Sequence, residues 1–463
     1  GAVCVPSVCV GNTVKNTAEI LKQIDEASAN GAAFAVFPEL CVTGYTCGDL
    51  FFQDALTSSV ADCLDAVCER TLGEDIVCII GAPVQIGDGL YNCGIVVSGG
   101  RVRGIVPKTF LPNYSEYYEK RWFSSASQLS FSSVSSGDIG LHCDGSYDIP
   151  VGGDLLFRLK NGCSIGLELC EDLWAPVPPS SFLALAGARI IVNLSASNET
   201  AAKREYRRAL VQNQSARLIS GYVYASAGEG ESTQDLVFSG HGIIAENGAV
   251  LCENEKYIDG GYVMCADIDT EKLRNERQKN KCFTDSAAEY ADRCKVRTVE
   301  LFAGTESGGE LVRPLRRPFV PDRRQDRLER CRSIFEMQTA GLKKRLKTVG
   351  ARPVIGVSGG LDSTLALLVT CQAVHELGRD SSDVAAITMP CFGTTDRTYT
   401  NALELMRRLG VSALEIPIKD ACRQHCRDIG HSETQYDTTF ENVQARERTQ
   451  VLMDYACSIG GLV

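Results

Sequence analysis

Three short stretches each place a reactive side chain beside an apolar run that reads as a strand end. They are Phe37-Pro38-Glu39-Leu40, Pro107-Lys108-Thr109-Phe110-Leu111-Pro112 and Leu169-Cys170-Glu171-Asp172-Leu173-Trp174. Acyl transfer at an amide needs a nucleophile, a base that ionises it, and a positive donor for the developing oxyanion. Cys170, Glu39 and Lys108 supply those three types. A cysteine attacks only as thiolate, so a base nearby matters. Each residue alone has a plainer reading. A free Cys after a strand usually packs as a small hydrophobe, and a lone Lys or Glu usually lies at the surface. The three stretches together favour chemistry, because α/β folds build sites at strand ends.

A second constellation follows the apolar run Val354-Ile355-Gly356-Val357. It is Ser358-Gly359-Gly360-Leu361-Asp362-Ser363, which opens a helical pattern. Glycines let the backbone approach phosphate oxygens, and a helix N-terminus favours negative charge. No Gly-Lys-Ser/Thr ending is present, so this is not a Walker-type loop. Asp362 either orients the loop or acts through a metal; the sequence assigns no metal ligand.

The elements that must position these residues are legible in outline. Residues 13–30 read as an amphipathic helix with Val14, Ala18, Leu21 and Ile24 on one face. Strands are expected at 34–37, 76–82, 164–169, 189–194, 221–227, 236–245 and 262–268. A hairpin is expected at 91–106, and helices at 54–71 and 201–219. Residues 109–155 lose periodicity and are serine-rich in part. This predicts mixed α/β structure, with sheet packed on sheet between helices. Residues 271–324 carry Gly308-Gly309, Pro314, Pro318 and Pro321 and read as a linker. Its arginine-rich end, 313–332, reads as a solvated helix face or as an inter-domain or phosphate contact. From 325 strands and helices alternate, which predicts a doubly wound parallel sheet over 325–463. Gly460-Gly461-Leu462-Val463 reads as the start of a further strand, so the chain is expected to continue.

The 463 residues carry a net charge of −11, which argues against general affinity for nucleic acid or anionic membranes. No apolar run reaches the ~20 residues that span a bilayer, and the start lacks a signal-peptide pattern. The 21 cysteines include no C-x-x-C pair and sit largely in apolar runs, which points to a reducing, cytoplasmic setting. His241, in Phe238-Ser239-Gly240-His241-Gly242, reads as a structural histidine.

On the ordered Glu, Lys and Cys stretches, residues 1–270 resemble the nitrilase, or carbon–nitrogen hydrolase, superfamily, with its αββα sandwich. The intervals between the three, 69 and 62 residues, suit that family. The resemblance implies Glu39 as general base, Lys108 as stabiliser of the tetrahedral intermediate and Cys170 as thioester-forming nucleophile. Residues 111–123 resemble the glutaminase branch. That implies Tyr114 at glutamine, Glu119 in support of the site, and Glu171 at the substrate ammonium or orienting the site. The run Asn193-Leu194-Ser195-Ala196-Ser197-Asn198 adds Ser197 as a glutamine contact, with Lys203 where the family often has Arg.

Ser358, Gly359, Gly360, Leu361, Asp362 and Ser363 match the SGGxDS signature of the ATP pyrophosphatases, whose loop holds the pyrophosphate end of ATP. Residues 390–398 and 441–448 look like the NAD synthetases, which implies Asn442 at the deamidated dinucleotide. Cys391 stands where that family usually has Gly. Arg446 and Arg448 read as phosphate or dimer contacts, or as helix-surface pairing. Together the two halves resemble the glutamine-dependent NAD synthetase family. The resemblance implies glutamine, ATP with Mg²⁺, and deamido-NAD as reactants, ammonia passing through a tunnel, and a homo-oligomer. It also implies a later segment with further ATP and magnesium contacts after Val463. The alternatives are an amidase fused to a GMP- or asparagine-synthetase-like module, and a non-catalytic nucleotide sensor.

Overall fold

The computed structural model describes residues 1–142, 145–233, 236–304, 317, 319–321 and 323–463. The chain forms two compact units, Gly1–Pro314 and Leu315–Val463.

Among its described residues the first unit is built on two large sheets, beside a small two-stranded one that pairs Ser133–Ser135 with Asp148–Pro150. One large sheet runs in the order Tyr262–Cys265, Ala2–Val5, Phe34–Val36, Val77–Ile86, Gly89–Ser98, Arg101–Pro107. The other runs Ala249–Glu253, Gly242–Glu246, Gly221–Ser226, Ile190–Ser195, Ser164–Leu169, Leu155–Arg158, Arg297–Glu300. Their inner faces meet in one apolar core, where Val36, Ile79 and Val96 of the first sheet join Leu167, Val192 and Val223 of the second. Helices Thr13–Ala29 and Asp54–Thr71 cover the outer face of the first sheet, through Ile20, Ile24, Leu64 and Val67. Pro179–Leu185 and Lys203–Leu218 cover the second, through Leu183, Val211 and Leu218. This is an α-β-β-α sandwich. Strands covered on both faces need apolar residues at consecutive positions, which explains why Val77–Ile86 is buried at nine of its ten residues.

Several elements differ from expectation. The first helix buries Asn16, Thr17, Ile20, Gln23 and Ile24, and leaves Val14 79% exposed. Its buried face is turned because Asn16 is satisfied there: its amide donates to the Cys9 and Val42 carbonyls. The expected strand over 236–245 is shortened to Gly242–Glu246. Residues 271–300, expected to begin a linker, instead lie mostly in helices Thr270–Lys279 and Lys281–Glu289 and the edge strand Arg297–Glu300. Only Leu273 and Arg277 of the first helix are buried, so its polar surface hides its periodicity. The linker residues 305–316, Pro318 and Asp322 lie outside the described residues. So do Arg313 and Arg316 of the arginine-rich run; from Arg324 that run is the exposed start of helix Arg324–Val349.

The second unit is built on a parallel sheet in the order Ser412–Glu415, Ala385–Thr388, Arg352–Gly356, Gly461–Leu462. Separate apolar clusters form on its two faces, one around Leu346, Leu367 and Met406, the other around Ile387, Cys422 and Val443. The strand order reverses at Arg352–Gly356, the position where doubly wound sheets bind ligands. Among the described residues no helix is long and apolar enough to cross a membrane.

Candidate active site

Glu39, Lys108 and Cys170 each stand just beyond the C-terminal end of a strand, after Phe34–Val36, Arg101–Pro107 and Ser164–Leu169 respectively. The strand carrying Gly81 passes so close to the Glu39 turn that a side chain would not fit. A Cβ there would lie 2.3 Å from the Pro38 carbonyl oxygen and 2.4 Å from the Leu40 amide. Two left-handed residues shape the site, Leu40 at φ 52° and Cys170 at φ 41°. Such backbone is costly for a side-chain-bearing residue, and here it turns the thiol out of its strand.

Lys108 and Glu39 are fully buried, and Cys170 is 5% exposed. The Lys108 ammonium lies 2.5 Å from Glu39 Oε1 and 2.7 Å from Glu119 Oε1. Burial would discharge this lysine, but Glu119 and Glu39 outweigh it and hold the pKa well above its usual value. The Asn92 amide donates to Glu39 Oε1 at 2.7 Å, and the Tyr45 hydroxyl donates to Glu119 Oε1 at 2.8 Å. Glu39 Oε2 and Glu119 Oε2 are buried and have no hydrogen-bond partner among the described residues. Burial pushes the Cys170 thiol up to about 12, and Glu39 adds to the shift. The resting nucleophile is therefore a thiol and needs a base at the moment of attack. Burial also raises Glu119 to about 7, against the pull of Lys108.

Asp172 ties the nucleophile turn to the lysine loop. It accepts the Leu169 amide at 3.0 Å and the Phe110 amide at 2.8 Å. Asn193 Oδ1 accepts the Cys170 amide at 3.2 Å.

Of the expected substrate residues, Tyr114, Glu171, Ser197 and Lys203 belong to the first unit, and Glu171 directly follows the nucleophile. The Tyr114 hydroxyl donates to Glu171 Oε1 at 2.9 Å, which leaves the partly exposed carboxylate at the rim. Ser197 is buried, its amide held by Ser226 Oγ at 3.1 Å. Lys203 bonds Asn198 Oδ1 and donates to the Tyr117 hydroxyl at 3.3 Å. Its ammonium sits 5.6 Å from the ring centroids of both Tyr117 and Trp174. Burial lowers its pKa, so it is a poorly hydrated cation available to a carboxylate.

Sequence reasoning missed Asn92, Tyr45, Asn193 and the tie through Asp172. Asp172 had a signal, its place two residues after the nucleophile. Asn92 and Asn193 lie inside strands whose pattern shows only burial. His241 is buried and bridges Arg207 Nη1 at 3.2 Å and Glu253 Oε1 at 2.9 Å. Arg207 also grips Glu199 at 2.8 Å, so this network fastens the loop after Ser197. A cleft of about 880 Å³ elsewhere in the unit, beside Thr57, Gln85 and Phe131, contains none of these residues.

In the second unit, residues 358–363 leave the C-terminal side of strand Arg352–Gly356 and open helix Leu361–Glu376. Gly359 has φ 79°, and a Cβ there would lie 2.0 Å from the Thr398 carbonyl oxygen. Ser363 Oγ accepts the Ser358 amide at 3.2 Å and donates to the Gly360 carbonyl at 3.1 Å. Leu361 and Asp362 stand exposed in the first helical turn. The loop is thus a tight, hydroxyl-lined turn at a helix N-terminus, suited to phosphate. Asn442 is exposed near the start of helix Thr438–Ser458.

The family models for carbon–nitrogen hydrolase and NAD synthase match residues 3–278 and 334–463. The glutamine-dependent NAD(+) synthetase of Mycobacterium leprae is 40% identical over all of this chain and 68% of its own length. That of Aquifex aeolicus is 27% identical over 96% of this chain and 71% of its own length. A solved glutamine-dependent NAD(+) synthetase from Cytophaga hutchinsonii shares the fold, with a TM-score of 0.50 at 20% identity. That match covers all of this chain and 73% of the other.

Proposed function

The chain belongs to the glutamine-dependent NAD(+) synthetases, and from that premise we propose how its residues divide the reaction. The first unit hydrolyses glutamine to glutamate and ammonia. The second activates the carboxylate of deamido-NAD with ATP, releasing pyrophosphate, and ammonia then displaces AMP to give NAD.

The observation that carries the first half is the buried Lys108, paired with Glu39 and Glu119 beside Cys170. Glu39, through its unpartnered Oε2, takes the thiol proton as Cys170 Sγ attacks the glutamine amide carbon. Lys108 offers its ammonium to the oxyanion. Ammonia departs with the proton returned from Glu39, leaving a thioester. Glu39 then deprotonates a water that attacks the thioester, and the thiolate is reprotonated. Glu171 with Tyr114 holds the substrate ammonium, and Lys203 and Ser197 hold its carboxylate end. Released ammonia must be kept from bulk water, where it would protonate and lose its nucleophilic lone pair.

In the second unit Ser358, Gly359, Gly360, Leu361, Asp362 and Ser363 hold the phosphates of ATP, and Asn442 contacts the dinucleotide. Mg²⁺ is commonly held by one or two carboxylates together with substrate phosphates. Asp362, an exposed carboxylate at the phosphate loop, fits that donor set, and the ion there would neutralise phosphate charge. The proposal includes a homo-oligomer working in the cytoplasm.

The test measures glutamate release and ATP binding separately. Glutamate release lost in Cys170→Ala, with ATP binding retained, supports the division. Release that survives this substitution would overturn the assignment.

A further inference from the structure

Cys391 and Cys422 are 31 residues apart, on different elements of the second unit, yet their sulfurs lie 3.7 Å from each other. Cys391 is partly buried, in the loop that follows strand Ala385–Thr388. Cys422 is buried in helix Lys419–Asp428. The Ile418 amide donates to the Pro390 carbonyl at 3.3 Å, so the two backbones already run side by side. On the same helix, Lys419 and Arg423 hold their charges 5.3 and 5.6 Å from the centre of the Phe392 ring. The loop closes on itself where Thr394 Oγ1 accepts the Cys391 amide at 3.0 Å. It then leads into helix Asp396–Leu409, whose Thr398 carbonyl abuts Gly359 of the phosphate loop. A tether at Cys391 therefore acts on a segment in contact with the phosphate loop.

We propose that Cys391 and Cys422 form a reversible intramolecular disulfide that fastens the 390–395 loop to helix Lys419–Asp428 and weakens ATP binding. The two thiols give up two protons and two electrons as the S–S bond forms. A peroxide accepts them and becomes water, or a small disulfide accepts them and becomes two thiols. Closure needs the sulfurs to approach from 3.7 Å to bonding distance, about 2 Å. The partly exposed Cys391 is the side an oxidant reaches first. Burial and the neighbouring Cys391 push the Cys422 thiol up to about 12. Since exchange needs a thiolate, closure should accelerate as the solution becomes more alkaline. The effect on ATP rests on the proposed role of the phosphate loop.

The experiment treats the full chain with hydrogen peroxide and maps its peptides by mass. The expected product joins the peptides of Cys391 and Cys422, lacks two hydrogens, and disappears with dithiothreitol. ATP affinity, read by calorimetry, should fall about tenfold on oxidation and recover on reduction. Cys391→Ser should abolish the cross-link, and Cys422→Ala should keep its ATP affinity under peroxide. Oxidation of exposed Cys331 or Cys457 without the 391–422 cross-link would overturn the proposal. A cross-link that leaves ATP affinity unchanged would overturn its regulatory part. A reduced chain that binds no ATP would sink the ATP reading of the loop, whereas the cross-link is decided by mass alone.

Discussion

Glu39 meets Lys108 through Oε1, at 2.5 Å, while its Oε2 is buried with no hydrogen-bond partner among the described residues. One oxygen of the carboxylate fixes the ammonium and the other is left for a proton. Glu39→Gln should therefore lower glutamate release by ~10²–10⁴-fold, the usual contribution of a general base. Cys170→Ala should abolish it. Initial rates of glutamate release, with circular dichroism to confirm folding, check both.

Tyr45 donates to Glu119 and favours its ionised form, against the burial that raises it to about 7. In Tyr45→Phe the Glu119 pKa should rise further. The acid limb of the pH–rate profile for glutamate release should then move to higher pH, with a loss of about tenfold at neutral pH. An unmoved acid limb would count against a role for the charge on Glu119.

Burial raises Asp172 from 3.8 to about 7. A carboxyl group that binds its proton more tightly when folded stabilises the native state fully below pH 4. That contribution is lost as pH rises through 7. Asp172→Asn should remove this slope between about pH 4 and 7. It also exchanges a two-oxygen acceptor for one, which should cost ~1–3 kcal/mol. Urea midpoints at pH 5 and pH 8, for wild type and variant, test both effects.

Lys203 lies against Tyr117 and Trp174 rather than in open water. Lys203→Ala should raise the KM for glutamine by ~10–100-fold, the equivalent of one charge-assisted hydrogen bond, with little change in kcat. Steady-state kinetics with varied glutamine decide this. An equal fall in kcat would place the residue in the chemical step instead.

Gly359 has no room for a methyl group against Thr398 and holds a left-handed backbone. Gly359→Ala should weaken ATP binding by more than about tenfold, since the steric and conformational costs coincide at one position. Glutamate release from the first unit should persist. Calorimetry with ATP and the glutamate assay, run on one preparation, separate the two.

Much of this architecture was legible because apolar runs on two-sided strands, such as Ser164–Leu169, announce themselves directly. Glu39, Lys108 and Cys170, which the fold brings together, were legible because they follow such runs. What escaped was polar structure inside apolar pattern. Asn92 sits within strand Gly89–Ser98 and bonds across the site to Glu39, which alternation cannot reveal. Asn16 rotated the buried face of the first helix because two backbone carbonyls needed a donor. Strand Arg297–Glu300 escaped for the opposite reason. It is an edge strand whose residues alternate between exposed and half-buried, and half its side chains are charged.

Strand Ala2–Val5 lies inside its sheet, flanked by Phe34–Val36 on one side and Tyr262–Cys265 on the other. The ribosome makes one neighbour almost at once and the other more than 220 residues later. At ordinary synthesis rates the nascent chain keeps an open, apolar β-edge for on the order of tens of seconds. Such edges recruit other strands. The first unit is therefore open to strand mispairing while it is being made. Its yield should depend on how crowded neighbouring nascent chains are, not only on the stability of the finished fold.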